Sequence, residues 1–124
     1  MPWHSGTPGY GFAPTGASWL PQPESWADLA PDRQRGVDGS TYELYRAALR
    51  LRRERGLGRG SLTFIDATPD VLAARNNDTV VLVNLSPAPV PLPPGTAAVL
   101  LASAPLTDHG AVPTDVTVWV VTED

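Results

Sequence analysis

Proline and glycine break this chain into short segments, and no other feature of the sequence restricts its fold so strongly. Among 124 residues there are 14 prolines and 11 glycines. Proline has no backbone N–H to donate and glycine favours turns, so both residues interrupt regular structure. The chain is long enough for one domain with one modest core. We therefore expect short elements joined by long stretches of irregular backbone.

The chain after Gly60 consists of short runs of β-branched and aliphatic residues separated by turn formers. This pattern is typical of a small antiparallel sheet. The turns are supplied by Thr68-Pro69-Asp70, Asn76-Asn77-Asp78 and Pro93-Pro94-Gly95. The second and third runs are predicted to form a hairpin, because two strands joined by so short a turn pair with each other. The predicted strands span residues 61–66, 71–76, 79–85, 97–103 and 116–122.

Two of these runs indicate how the strands pack. The run 80–85 is apolar at nearly every position, which favours a central strand covered on both faces. In the last run, valines at 116, 118 and 120 alternate with Thr117, Trp119 and Val121. Two packed layers are the simplest arrangement that buries such strands. The sequence therefore predicts a mainly β fold, with a small antiparallel β-sandwich over residues 57–124.

A single amphipathic helix is predicted ahead of the strands, over residues 40–55. Ser40-Thr41-Tyr42-Glu43 matches a capping box, in which the serine oxygen and the glutamate carboxylate bind free amides at the helix start. Gly56 and Gly58 are expected to end the helix. One apolar face is formed by Leu44, Ala47, Ala48 and Leu51, widened by Tyr45 and Leu49. This face must pack against another surface.

The first 39 residues are predicted to form a long loop. Prolines recur at positions 2, 8, 14, 21, 23 and 31, and no helical or strand period is sustained. Irregular segments of this length are usually either functional or disordered. Disordered linkers lack aromatic residues, whereas this segment contains Trp3, Tyr10, Phe12, Trp19 and Trp26. We therefore expect the loop to pack on something.

Composition excludes several classes of function. The net charge of −4 and the pI near 5.0 argue against binding to the phosphate backbone of nucleic acids. The absence of cysteine removes disulfides and thiolate metal ligands. No stretch approaches the roughly 20 apolar residues of a membrane span, and the segment 1–4 lacks the features of a signal peptide. We expect a soluble, cytoplasmic protein with neither nucleic acid nor membrane as a partner.

Four segments in the first half of the chain follow one another in a distinctive order. They are Met1-Pro2-Trp3, Gly11-Phe12, Trp19-Leu20-Pro21-Gln22-Pro23 and Tyr45–Arg53. This order resembles the C-terminal third of the α-glucosidases of the α-amylase clan, and oligo-1,6-glucosidases and trehalose synthases look similar there. The later segments Val71–Arg75, Val80–Ser86 and Val90–Pro93 resemble the β-sandwich called domain C in that family. The resemblance implies that residues 1–56 correspond to the end of a catalytic barrel and residues 57–124 to domain C.

The resemblance also implies that the chemistry lies outside this chain. In the family, the nucleophilic aspartate, the acid/base glutamate and the aspartate that stabilises the transition state all precede the Met-Pro-Trp segment. No residue here matches any of them. The expected function is that of a structural C-terminal domain of a glycoside hydrolase acting on α-glucosidic bonds, inactive when alone. Its expected partner is the catalytic barrel domain missing from this chain, and no cofactor or metal is implied.

The titratable residues support no alternative catalytic assignment. Retaining glycoside hydrolysis needs two carboxyl groups about 5–5.5 Å apart, one of them with a raised pKa. The carboxyl groups near the loop and the first turns are explained more simply as caps and solvated turn residues. These are Glu24, Asp28, Asp32, Asp38, Asp66 and Asp70. His4 and His109 show no metal-binding spacing, so no catalytic residue and no metal ligand is assigned.

The aromatic loop is the one candidate binding site. Trp3, His4, Tyr10 and Phe12 are candidate substrate-binding residues, because flat aromatic faces stack on sugar rings. In the family this loop lies beside the mouth of the active site. One alternative hypothesis is a stand-alone sugar-binding β-sandwich module that binds α-glucosides or oligosaccharides with this loop. Another is a decayed or mis-started gene product whose loop and helix have no partner.

Overall fold

The computed structural model describes residues 1–65 and 68–123, which form two compact units, Met1–Arg46 and Ala47–Asp124. The first unit contains 3₁₀ turns at Pro8–Gly11 and Glu24–Leu29 and the one-turn helix α1 (Pro31–Gln34). Helix α2 (Thr41–Glu54) runs from the first unit into the second. The strands are β1 (Leu62–Ile65), β2 (Val71–Asn76), β3 (Thr79–Asn84), β4 (Thr96–Ala102) and β5 (Val116–Thr122).

The mainly β, antiparallel fold class is confirmed. All five expected strands are present, and their bounds lie within one residue of the predicted ones. The exception is the predicted end of the first strand at Asp66, which lies outside the described residues. The helix predicted over residues 40–55 is confirmed as α2, whereas α1 was missed, because one turn of helix is too short to show a helical period.

The five strands form one antiparallel sheet in the order β1-β2-β3-β5-β4. The predicted hairpin of β2 and β3 is confirmed, with Asn76 opposite Thr79 and the left-handed Asn77 (φ 54°) in the turn. The strand predicted to be central, β3, lies in the middle of the sheet. None of the helices within the described ranges has the length and apolar character needed to cross a bilayer.

The inner face of the sheet carries the hydrophobic core. Val80 of β3 lies opposite Val120 of β5, and Leu82 lies opposite Val118, so all four side chains share this face. Each of them is at most 6% exposed. The predicted alternation along β5 is thereby confirmed, with its even-numbered residues buried and its odd-numbered residues half-buried.

A second layer of loop segments covers the inner face. Val90 and Val112 pair in an isolated antiparallel bridge, and Val112 is fully buried. Leu92 and Leu106 pack against the same core. The unit Ala47–Asp124 is therefore consistent with the predicted small β-sandwich, although its second layer consists of loops around one bridge.

A buried amide holds this second layer to the sheet. The side chain of Asn84, at the end of β3, is fully buried. Its Nδ2 donates hydrogen bonds to the carbonyl oxygens of Ala88 and Val112, both at 3.0 Å. Its Oδ1 accepts bonds from the backbone N–H of Ser86 at 2.9 Å and from the Ser86 hydroxyl at 2.6 Å. Since buried polar groups must be paired, these bonds fix the path of the chain after β3.

The outer face of the sheet is more open than the sequence led us to expect. Val81 and Val83 of β3 are only half-buried, so the central strand is covered more fully on its inner face. Three large apolar side chains lie open at the β1 end of the outer face. They are Leu62, Phe64 and Leu72, which are 61%, 67% and 51% exposed.

The start of α2 differs in one bond from the predicted capping box. The Ser40 hydroxyl accepts the backbone N–H of Glu43 at 3.2 Å, as expected. The Glu43 carboxylate instead accepts the backbone N–H of Gly36 at 2.8 Å. Gly36 has a φ of 76°, and this left-handed residue turns the chain after α1 so that its N–H reaches the carboxylate. Glu43 therefore ties the preceding turn to α2 and does not cap the helix itself.

The part of the apolar face of α2 that is covered is narrower than predicted. Leu44, Ala47, Ala48 and Leu51 are half-buried. Tyr45 and Leu49, which were expected to widen this stripe, are 65% and 51% exposed. No residue of α2 is fully buried.

Candidate functional site

Within the aromatic loop, backbone hydrogen bonds close residues 3–10 into a tight loop and bring its two ends together. The N–H groups of Trp3 and His4 both donate to the carbonyl oxygen of Tyr10, at 2.8 Å and 3.1 Å. The N–H of Tyr10 in turn donates to the carbonyl oxygen of Thr7 at 2.9 Å. The structure therefore places three of the four predicted site residues in one tight loop, and Phe12 follows two positions later.

Three consecutive residues in this loop adopt a left-handed backbone. Gly9, Tyr10 and Gly11 have φ values of 58°, 52° and 71°. Glycine tolerates this conformation, whereas a side chain there is strained. Gly9 is restricted further, because a Cβ at this position would lie 2.6 Å from the carbonyl oxygen of Gly16. Glycine at position 9 thus permits a close approach of two backbone segments.

The Tyr10 side chain is engaged in holding the loop. Its hydroxyl lies 3.2 Å from the carbonyl oxygens of both Pro23 and Glu24, to which it donates. This contact joins the first loop to the chain 13 residues later. Of the four candidate residues, Tyr10 is therefore a structural clamp, and its hydroxyl has no free proton to offer a ligand.

The other candidate side chains are open to solvent. Trp3 is 50% exposed, Phe12 is 57% exposed, and His4 is also exposed. The nearest cavity, of about 390 Å³, is bounded by Thr7, Pro8, Gly11, Ala13, Pro14, Thr15 and Gly16. Neither aromatic ring lines it. Any stacking surface in the loop is therefore an exposed platform and not a walled pocket.

A polar contact that the sequence did not predict joins the aromatic loop to α1. The Asp32 carboxylate, on α1, accepts the backbone N–H of Ser5 at 3.0 Å and the Ser5 hydroxyl at 2.9 Å. The Arg33 guanidinium donates to the same hydroxyl at 3.0 Å. Because 27 residues separate Ser5 from Asp32, no local sequence pattern signals this contact.

The carboxyl groups with shifted pKa values all stay ionised more readily than usual. Desolvation raises the pKa of Asp32, but the hydrogen bonds from Ser5, the bond from its own backbone N–H and the nearby His4 together leave that pKa below its ordinary value. The N–H of Gly36 is the main cause of the lowered pKa of Glu43. The bond from the Arg55 guanidinium, at 2.7 Å, is the main cause of the lowered pKa of Asp78. A general acid needs a raised pKa, so these three groups suit structural anchoring.

The remaining titratable candidates form no catalytic cluster that the structure displays. Asp38 accepts the N–H of the adjacent Gly39 at 3.1 Å, as a turn carboxylate does. Asp66 lies outside the described residues. Within residues 1–65 and 68–123, no three histidine, aspartate or glutamate side chains come together as metal ligands would. The site that can be described is thus the aromatic loop with its Asp32 brace.

Comparison with other proteins adds no assignment to this site. No protein-family model and no curated protein matches the chain.

Proposed function

We propose that this chain is a structural C-terminal region of an α-glucosidase-like glycoside hydrolase acting on α-glucosidic bonds. The catalytic residues would belong to a barrel domain that this chain does not contain. The observation that carries the proposal is the exposure of Trp19, which is 98% open to solvent. Its neighbour Leu20 is 69% exposed. Both residues belong to the Trp-Leu-Pro segment that resembles the family.

Exposed apolar side chains of this size point to a covering partner. Apolar groups in contiguous exposed patches mark interaction surfaces, because leaving them in water costs free energy. The N-terminal unit shows Leu29 and Phe12 exposed as well, at 56% and 57%. A larger domain that covers such groups would also supply the partner surface that the half-buried stripe of α2 requires.

The electrostatics of the described carboxyl groups support a bracing role. Asp32 and Glu43 both hold backbone N–H groups at turns of the N-terminal unit. Their lowered pKa values keep them charged near neutral pH, and each charge strengthens the hydrogen bonds it accepts. A loop held in this way can present a fixed edge to a neighbouring domain without taking part in catalysis.

An activity assay tests the absence of chemistry. The purified chain is incubated with p-nitrophenyl α-D-glucoside, and we expect no release of nitrophenolate above buffer. Turnover that follows the chain through successive chromatographic steps, and that disappears when Asp32 and Asp38 are changed to asparagine, would contradict the proposal. In the family that this chain resembles, an Arg-x-Pro stretch directly precedes the Met-Pro-Trp segment. The partner is tested separately by sequencing the DNA upstream of the Met1 codon: in-frame codons for Arg-x-Pro would support the proposal, and an in-frame stop codon there would contradict it.

A second candidate function is sugar binding by the loop itself. It is favoured by one observation: Trp3 and Phe12 stay half exposed in a loop whose backbone is firmly closed. Titration with maltose or isomaltose, followed by tryptophan fluorescence, distinguishes this function from the structural one. Saturable binding that Trp3→Ala abolishes and Trp19→Ala retains would favour a sugar-binding module. If the tryptophan fluorescence of the wild type and of both variants shows no saturable change, the sugar-binding function is ruled out.

A further inference from the structure

The two edges of the sheet are built differently. At one edge, the pairing of β4 with β5 contains two register shifts, between Thr96 and Ala98 and between Val99 and Leu101. Such irregularities bend an edge strand and hinder pairing with another chain. At the other edge, β1 pairs with β2 in an unbroken register over all four of its residues. No described strand lies beyond β1.

Strand β1 is short, at four residues, but it lacks the side-chain devices that protect an edge. Its sequence Leu62-Thr63-Phe64-Ile65 contains no charged residue, no proline and no glycine. All four residues are exposed. Free strand edges usually carry lysine, proline or a bulge, because their unpaired N–H and C=O groups otherwise template a further strand. The β-branched and aromatic residues of β1 favour such a strand.

We infer that β1 is a pairing edge for a second copy of this chain. The two β1 strands lie antiparallel about a two-fold axis at Thr63 and join the two sheets into one. This inference goes beyond the proposed function and does not depend on it, since it concerns only the unit Ala47–Asp124, which we call the β module.

The register follows from the pleat of the strands. Paired residues in an antiparallel ladder lie on the same face, so a two-fold axis passes through one residue, either Thr63 or Phe64. An axis at Thr63 pairs Leu62 of each copy with Phe64 of the other on the outer face. These are the two most exposed apolar side chains of the strand, at 61% and 67%, whereas Ile65 is 37% exposed. An axis at Phe64 would instead pair Thr63 of each copy with Ile65 of the other, and Leu62 would have no partner within β1.

A second copy fits this edge because the strand is complementary to itself. Aliphatic and aromatic residues form favourable cross-strand pairs, and the Thr63 axis creates two of them. The chain carries a net charge of −4, yet no charge lies on β1 to repel the second copy there. Leu62 and Phe64 offer on the order of 250 Å² of apolar surface per copy, against about 800 Å² in stable complexes. The dimer is therefore weak, with a dissociation constant of about 0.1–1 mM.

Single-cysteine variants test this geometry directly, since the natural chain contains no cysteine. Across the axis, the two Thr63 Cα atoms would be about 4.5–5.5 Å apart, within the range of about 4.4–6.8 Å that a disulfide spans. The same-strand control Leu62→Cys would place its Cα atoms on a diagonal of about 7–8 Å. Val99→Cys, on β4, tests the opposite edge. Each variant is oxidised at submillimolar concentration with glutathione disulfide, which accepts the two electrons and two protons released by the thiols.

We expect the covalent dimer of Thr63→Cys to form at least about tenfold faster than that of either control, because only Thr63 lies on the axis. Equal rates at all three positions, or the fastest rate at Val99→Cys, would overturn the inference. Sedimentation velocity provides a test without a covalent bond. As its concentration is raised to about 1 mM, the wild type is expected to form a growing fraction of dimer. Phe64→Arg is expected to stay monomeric over this range, and Val99→Arg is expected to behave as the wild type does. A wild type that is monomeric throughout this range would also overturn it.

Discussion

Each of the two units of this protein is stabilised by a different kind of interaction. In the β module, Val80, Val118 and Val120 are completely buried, so apolar contact stabilises the sheet. In residues 1–46, all of which the structure describes, only Ala30 is buried. The shape of that unit rests on exposed hydrogen bonds such as Ser5 to Asp32, and each such bond adds little net stability in water. From this difference we predict that the β module folds on its own, and we propose that another surface covers the N-terminal unit.

The largest effect is expected from Asn84→Ala in the β module. The substitution removes the four hydrogen bonds of a fully buried amide and takes the acceptor from the backbone N–H of Ser86, which should lower the free energy of unfolding by about 3 kcal/mol. Urea denaturation measures the loss. The control Leu85→Ala, at a 62% exposed neighbour, should change it by less than about 0.5 kcal/mol. A loss below about 1 kcal/mol for Asn84→Ala would remove its role as the anchor of the second layer.

A smaller and strictly local effect is expected from Gly9→Ala in the N-terminal unit. The left-handed φ and the 2.6 Å approach to Gly16 should cost about 1–3 kcal/mol in the loop. Because the β module carries the global stability, the change should appear as faster proteolysis within residues 1–16 and leave the urea midpoint unchanged. Gly6→Ala is the matched control, since a Cβ there meets nothing within 4 Å. Equal proteolysis of both variants would show that the loop is not closed as described.

The contact between Ser5 and Asp32 should respond to acid. The folded pKa of Asp32 lies below its ordinary value of 3.8, so the contact contributes fully above that pH and is lost as the pH falls through the folded pKa. The backbone amide resonance of Ser5 should therefore shift with a midpoint below pH 3.8. Asp32→Asn should abolish this transition, whereas Asp38→Asn should leave it in place. A midpoint above 3.8 would reverse the sign of the interaction.

The smallest effect is expected from Trp19→Ser. With 98% of its surface exposed, Trp19 loses no contact, so the free energy of unfolding of the isolated chain should change by less than about 0.5 kcal/mol. Urea denaturation checks this as well. A loss comparable to that of Asn84→Ala would mean that Trp19 is packed within the chain, and the exposure that supports a covering partner would then be absent.

Much of the β module could be predicted from the sequence because its signals are local. Strand bounds follow from β-branched runs between turn formers, and the buried face of β5 follows from alternation at Val116, Val118 and Val120. The role of Asn84 could not be predicted, because its partners Ala88 and Val112 lie in loops whose paths depend on tertiary packing.

The candidate site was less predictable because its determinants are non-local. Aromatic residues pointed to the loop, but nothing in the local pattern distinguished Tyr10, which clamps the chain at Pro23, from the exposed Trp3 and Phe12. The Glu43 carboxylate was expected at a helix amide and instead binds Gly36, since a helix cap can be read from spacing but a preceding turn cannot.

Amide hydrogen exchange of the isolated chain tests the contrast between the two units most directly. We expect slow exchange in β3 and β5, which open only on global unfolding, and fast exchange over residues 1–30, which open locally. Protection over residues 1–30 equal to that of β5 would contradict the account, because the N-terminal unit would then be as stable as the β module without any covering partner.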